Sequence, residues 1–275
     1  MYPDTLLNFA QRHARWAAVL FGPLLACSST EADNCGTTIS VSQAIRFETP
    51  DGGLPHERFR SLVFALQFQD VNDPGAPLSH VCTGTRIAPG LLVTAAHCTR
   101  ELEPSELRLT RSDANTASRT FDGSNCEPNN AVEKAPETVT VLAFVVHPSL
   151  DIALLAFEEP DVSPISAQWQ SPPPEGASAI ITGYGLTEDN SLGKLRAIEV
   201  KVLAIDDDIR VQAIDGGACV GDSGGPLFTS QGDGPLLIHG VLSTGSASCV
   251  GNDYYTPLNA AADWLTIQAS TLSPQ

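Results

Sequence analysis

From residue 62 to residue 243 the chain is built of short runs of Val, Ile, Leu, Phe and Thr, cut by Gly, Pro, Asn and Asp. Clear runs lie at 62–68, 90–94, 138–146, 152–157, 179–183, 195–204 and 236–243. Runs of this length and composition, bounded by turn formers, make strands. No helical pattern alternates with them, which excludes a parallel βαβ sheet. The expectation is an all-β chain of antiparallel strands in sandwich or barrel form. A Pro-rich stretch at 158–176 reads as a linker between two β halves, because Pro cannot donate to a ladder. The clear helix is late, at 258–269 after Thr256-Pro257, with Leu258, Ala261, Ala262 and Leu265 on one face.

The chain carries 15 Lys and Arg against 32 Asp and Glu, a net charge of −17. Such a surface repels phosphate, so a nucleic-acid partner is excluded. Residues 1–26 read as an export signal: Arg12 and Arg15 precede an apolar stretch, 16–26, too short to span a bilayer. Cys27 follows Leu24-Leu25-Ala26, which resembles the lipobox of bacterial lipoproteins. That resemblance implies lipid on Cys27 and a membrane anchor, and Ser28 then favours an outer-membrane or surface location. An ordinary signal peptide with an incidental Cys is the alternative. Polar, small residues at 27–44 read as a tether or propeptide. Seven cysteines are odd for an exported chain; setting Cys27 aside leaves six for disulfides.

Three segments carry chemistry. Cys219-Val-Gly-Asp-Ser-Gly-Gly-Pro-Leu227 puts Ser223 among small residues, with the N–H groups of Gly221 and Ser223 available to an oxyanion. A Ser hydroxyl is a poor nucleophile without a base, and the base needs an orienting carboxylate. Val93-Thr-Ala-Ala-His97-Cys98 places a His after an apolar strand. His147-Pro-Ser-Leu-Asp151-Ile-Ala-Leu-Leu155 places a carboxylate at the entrance of another, where partial burial demands a partner; His97 would supply one.

These three blocks, in the order His, Asp, Ser, resemble the trypsin/chymotrypsin-like serine proteases over roughly residues 45–270. The resemblance implies two six-stranded antiparallel β-barrels, at about 45–157 and 177–257, with the closing helix behind them. It implies a serine endopeptidase acting on protein or peptide substrates through His97, Asp151 and Ser223, as a monomer needing no metal or organic cofactor. It further implies an oxyanion hole from Gly221 and Ser223, support of the Asp by Ser243, and the pairs Cys82–Cys98 and Cys219–Cys249. Gly183-Tyr184-Gly185 matches a turn of the family. Cys35 and Cys126 are left to pair with each other or stay free.

Two features depart from the family pattern. Activation implies an ammonium at Ile45 pairing with Asp222, but the glycines that usually follow are absent, and no basic residue precedes Ile45. Another protease cuts there, or Asp222 finds another cation such as Arg46, or the protein stays a zymogen. The specificity pocket falls on Gly217, Ala218, Val220 and Gly245, a floor without charge that suits an apolar or broad P1 side chain. Asp253 on the far wall offers a way to admit Lys or Arg. His147 reads as a surface residue and His239 as a packing one, while His56 and His80 carry no evident role. An α/β-hydrolase esterase is set aside, because Gly224-Gly225-Pro226 cannot start the helix that fold needs after its Ser. A catalytically silent binding module on the same scaffold is the alternative function.

Overall fold

Val63 to Phe68 begins the first of two closed sheets. The computed structural model describes residues 59–73, 75, 78–111, 138–159, 167–187, 192–214, 216–230 and 234–272. The export signal, the tether, Cys27, Cys35, Ile45, Arg46, His56 and Cys126 lie outside them.

The first barrel uses β1 (Val63–Phe68), β2 (Ser79–Ala88), β3 (Leu91–Thr94), β4 (Leu107–Thr110), β5 (Val139–Val146) and β6 (Ala153–Phe157). They close in the order β1-β2-β3-β6-β5-β4, every pair antiparallel. Phe64, Leu66, Leu92, Leu107, Leu109, Leu155 and Phe157 fill the interior. Gly84 on β2 is required by packing, since a Cβ there would stand 2.3 Å from Leu92 Cδ2.

The second barrel uses β8 (Ser178–Gly183), β9 (Arg196–Ile205), β10 (Ile209–Ala213), β11 (Pro226–Ser230), β12 (Leu236–Thr244) and β13 (Asn252–Pro257). They run β11-β8-β9-β10-β13-β12, and a β11–β12 pairing closes the ring. Along β9 Val200 and Val202 are buried while Glu199, Lys201 and Leu203 face out, the alternation of a sheet wetted on one side. Pro226 opens β11, a place that tolerates its missing N–H.

The segment expected as a plain linker contributes a strand of its own. β7 (Gln168–Trp169) pairs in parallel with β12, and Trp169 packs on the core. The end helix also differs from expectation. Leu258–Ala261 is a 3₁₀ turn, and the α-helix α1 runs over Ala262–Leu272. Pro257 enters with an extended backbone and no side-chain cap, so the first turn winds tightly.

The two barrels share one apolar seam, with Val63, Val93 and Leu154 from the first meeting Tyr184, Phe228, Ile238 and Val241 from the second. Tyr184 donates its hydroxyl to the Arg111 carbonyl at 3.0 Å across that seam. An ion pair ties the start of the connecting segment to the first barrel: the fully buried Arg86 meets Glu159 at 3.0 Å. Glu159 also accepts the Gly90 N–H at 2.7 Å. Removing one member of a buried pair strands the other charge in low dielectric. Glu159→Ala is therefore expected to destabilise the fold by about 3 kcal/mol, read as a lowered denaturant midpoint; a change below about 1 kcal/mol would show that the pair adds nothing beyond a surface bridge.

Candidate active site

β3 ends at Thr94, Ala95 stays extended, and the chain turns at once into a 3₁₀ turn, Ala96–Thr99. Thr99 Oγ1 donates to the Ala96 carbonyl at 3.0 Å and tightens it. Cys98 is joined to Cys82 of β2 by a disulfide. His97 is thus held between a strand end and a crosslink, half-exposed.

Asp151 arrives from the other side. His147 Nδ1 accepts the N–H groups of Ser149 at 3.2 Å and Leu150 at 2.9 Å, and the His147 N–H donates to the Ile152 carbonyl at 2.9 Å. His147 was expected at the surface; it is half-buried, winds this loop, and stacks edge-on against Trp264 of α1 at 5.1 Å. The loop delivers the Asp151 carboxylate to His97. Oδ1 accepts the His97 backbone N–H at 2.9 Å, and Oδ2 accepts Nδ1–H at 2.8 Å. Ser243, from β12 of the second barrel, donates to Oδ2 at 2.7 Å. Burial opposes the charged carboxylate, but the hydrogen bonds from His97 and Ser243 outweigh it and hold Asp151 down to about 2. With Nδ1–H committed to an ionised carboxylate, the neutral imidazole keeps its lone pair on Nε2.

Ser223 lies on a turn in which Gly221 and Gly224 take positive φ, +95° and +78°. A Cβ on Gly224 would fall 2.0 Å from Thr94 Oγ1 and 2.8 Å from the Ala95 nitrogen. Ser223 is half-buried while Gly221, Asp222 and Gly224 are buried, so its side chain is the reachable one. Its carbonyl accepts the Thr83 N–H at 2.8 Å and lies 3.6 Å from Cys98 Sγ, which brings the turn to the seam beside His97. Among the described residues, the N–H groups of Gly221 and Ser223 donate to no acceptor.

Asp222, next to Ser223, points inward. Its carboxylate accepts the Gly185 N–H at 2.7 Å and the Cys219 N–H at 2.8 Å. A Cβ on Gly183 would stand 2.1 Å from it and one on Gly185 2.5 Å, which explains the Gly-Tyr-Gly turn. Burial pushes this carboxyl up to about 7, against the pull of the two N–H donors. No cation among the described residues pairs with it.

Gly217, Ala218 and Gly245 gather around the side chain of Asp253. The Asp253 carboxylate accepts the Ala218 N–H at 2.9 Å and lies between the two glycines. A Cβ on Gly217 would sit 3.2 Å from Oδ2, and one on Gly245 2.5 Å from Oδ1. Burial raises this carboxyl to about 6. Val220, next to the Cys219–Cys249 disulfide in the chain, is 72% exposed.

Cys82, His97 and Cys98 put possible metal-ligand atoms within 4.8 Å of one another, but the two sulfurs are bonded to each other and offer no thiolates. His239 is buried, with Nδ1 donating to the Ser171 carbonyl at 2.7 Å and Thr229 hydroxyl at 2.7 Å from Nε2. His80, read as without a role, lies against Gly221, with Nε2 3.0 Å from its carbonyl. Thr83 was passed over as well. The only signal for either was its position, within three residues of Cys82.

Comparison with known proteins places this geometry in context. The trypsin family model matches residues 59–265, most of the chain. Ovochymase of Halocynthia roretzi is 28% identical over 227 residues, covering 70% of this chain and 14% of its own length, so this chain spans a small part of that relative. Hypodermin-B of Hypoderma lineatum is 24% identical over 70% of this chain and 79% of its own length. Brachyurin of Leptuca pugilator is 27% identical over 69% and 88%. The fold matches that of human heparin binding protein, with a TM-score of 0.58 at 19% identity, covering 79% of this chain and 95% of that one. The chain belongs to the trypsin family of serine peptidases.

Proposed function

We propose that this protein is a serine endopeptidase in which Ser223, His97 and Asp151 act as one unit. The observation that carries the reading is the Asp151 carboxylate, which fixes the His97 imidazole through Nδ1 and is itself fixed by Ser243 from the opposite barrel. In the reaction, Ser223 Oγ attacks the peptide carbonyl and Nε2 of His97 takes its proton. The N–H groups of Gly221 and Ser223 receive the oxyanion. Asp151 stabilises the imidazolium, which then protonates the leaving amine; water resolves the acyl-enzyme by the reverse sequence. No step calls for a metal or an organic cofactor. Substrates are proteins or peptides, and export with a lipid on Cys27 is part of the proposal. The two disulfides fit an oxidising compartment, and no described helix is long and apolar enough to cross a membrane.

A fluorophosphonate probe tests the reading. It should label Ser223 and nothing else, and Ser223→Ala should lower kcat by on the order of 10⁶. A folded protein that neither reacts nor cleaves peptides is instead a silent binding module.

The pocket supports a broad P1 preference. Gly217 and Gly245 bring no side chain and no charge of their own, and Asp253, seated between them, supplies a buried carboxyl raised to about 6. Below that pH Asp253 is neutral and favours apolar P1 groups; above it the carboxylate favours Lys and Arg. The ratio of kcat/KM for P1-Arg over P1-Leu substrates should therefore rise between pH 5 and 8, a ratio in which the titration of the shared base cancels. Asp253→Asn should flatten it. A pH-independent ratio in the unaltered protein removes Asp253 from P1 recognition.

Activation follows from the state of Asp222. Its carboxyl is raised from 3.8 to about 7, so its contribution to stability is complete at low pH and lost as the pH climbs to 7. An Ile45 ammonium freed by cleavage would supply the missing cation. Asp222→Asn should raise the melting temperature of the uncut chain at pH 7, and lower it in protein whose N-terminus is Ile45 by mass spectrometry. Equal effects in the two forms would sever Ile45 from Asp222.

A further inference from the structure

The loop that carries Ser223 belongs to the second barrel, yet its backbone is held by the first. The Gly221 carbonyl accepts two hydrogen bonds from β2: His80 Nε2–H at 3.0 Å and Thr83 Oγ1–H at 2.9 Å. A carbonyl oxygen has two lone pairs, so these donors saturate it. The Thr83 backbone N–H takes the Ser223 carbonyl at 2.8 Å. One threonine thereby grips both carbonyls that flank Asp222. The same hydroxyl accepts the Tyr184 N–H at 3.1 Å, and the Thr83 carbonyl accepts Thr94 Oγ1–H at 2.7 Å.

Steric fit reinforces the grip. A Cβ on Gly221 would stand 2.7 Å from His80 Cδ2, so the imidazole lies directly on the glycine backbone at its φ of +95°. The other ring nitrogen, Nδ1, is buried without a hydrogen-bond partner among the described residues. That arrangement fixes the tautomer, with the proton on Nε2 facing Gly221. Burial holds the imidazole down to about 4, so it stays a neutral donor throughout the range in which a peptidase of this kind works.

We infer that His80 and Thr83 are positioning residues for the oxyanion hole: by occupying the Gly221 and Ser223 carbonyls they orient that loop and leave its N–H groups free for substrate. Gly221, with φ near +95°, has no side chain to hold its peptides in place, so the restraint comes from β2. The catalytic consequence rests on the peptidase reading above; the clamp itself does not.

The test uses paired variants in the full chain. Thr83→Val keeps the shape and deletes the hydroxyl, whereas Thr83→Ser keeps it. His80→Phe deletes the donor, whereas His80→Gln places an N–H near the Nε2 position. The Val and Phe variants should lose roughly 10- to 100-fold in kcat with KM little changed, less than the 10²–10³ that follows loss of an oxyanion donor itself. The Ser and Gln variants should recover most of it. Hydrogen–deuterium exchange over residues 219–225, read on resting protein, should quicken in Val and Phe and not in Ser and Gln. A merely structural role would lower the melting temperature of all four without this pattern. Unchanged kcat in folded Thr83→Val and His80→Phe overturns the inference, as does unchanged exchange. If the unaltered protein neither labels nor cleaves while exchange quickens in Val and Phe, the clamp stands and the peptidase reading falls.

Discussion

One carboxylate joins the two halves of this molecule at the point where chemistry is proposed. Asp151 enters from the first barrel, takes both the backbone and the ring N–H of His97, and is met by the Ser243 hydroxyl from the second. An ionised side chain at a barrel seam would be costly if unpaired. Here three charge-assisted hydrogen bonds satisfy it and convert the cost into orientation. The His97 ring cannot rotate without losing its acceptor, and the barrels cannot slide without losing Ser243. Everything proposed for Ser223 depends on that fixed imidazole.

Three aspartates within this region show how far environment decides behaviour. Asp151 is held at about 2 by donors that outweigh its burial. Asp253, with a single N–H donor, rises to about 6. Asp222, buried and without a cation among the described residues, rises to about 7. The same side chain is thus held ionised at one position and pushed towards its neutral form at the other two. The loop that carries Ser223 has glycines at 221, 224 and 225 because His80, Thr94, Thr182 and Asp222 occupy the space that Cβ atoms would take. Its conformation is set by its surroundings and not by its own side chains.

Those surroundings explain what the sequence disclosed and what it hid. Strands β1, β3, β5, β6, β8, β9 and β12 coincide with apolar runs, since each buries at least one face. β2 gave no such signal. It carries His80, Thr83, Thr85 and Arg86; the last three are buried, Thr83 bonded to the Gly221 carbonyl and Arg86 paired with Glu159. β13 reads as Asn-Asp-Tyr-Tyr-Thr-Pro and shows no apolar run, since Asp253 is buried against a backbone N–H. A carboxylate at the mouth of an apolar strand did point to its partner, since Asp151 needed a donor and His97 was at hand. His80 and Thr83 could not be found that way, because their partners are backbone carbonyls 138 or more residues distant. The short turn at Asp206–Asp208 between β9 and β10 likewise leaves too little sequence for a pattern.

The central claim is the orientation of one ring. Nitrogen-15 and proton NMR of the resting protein at neutral pH reads it directly, by locating the proton on the His97 imidazole. The account predicts that it resides on Nδ1, gives a far-downfield resonance through its bond to Asp151, and loses that resonance in Asp151→Ala. A proton found on Nε2, or an Nδ1 signal indifferent to the loss of Asp151, would contradict it.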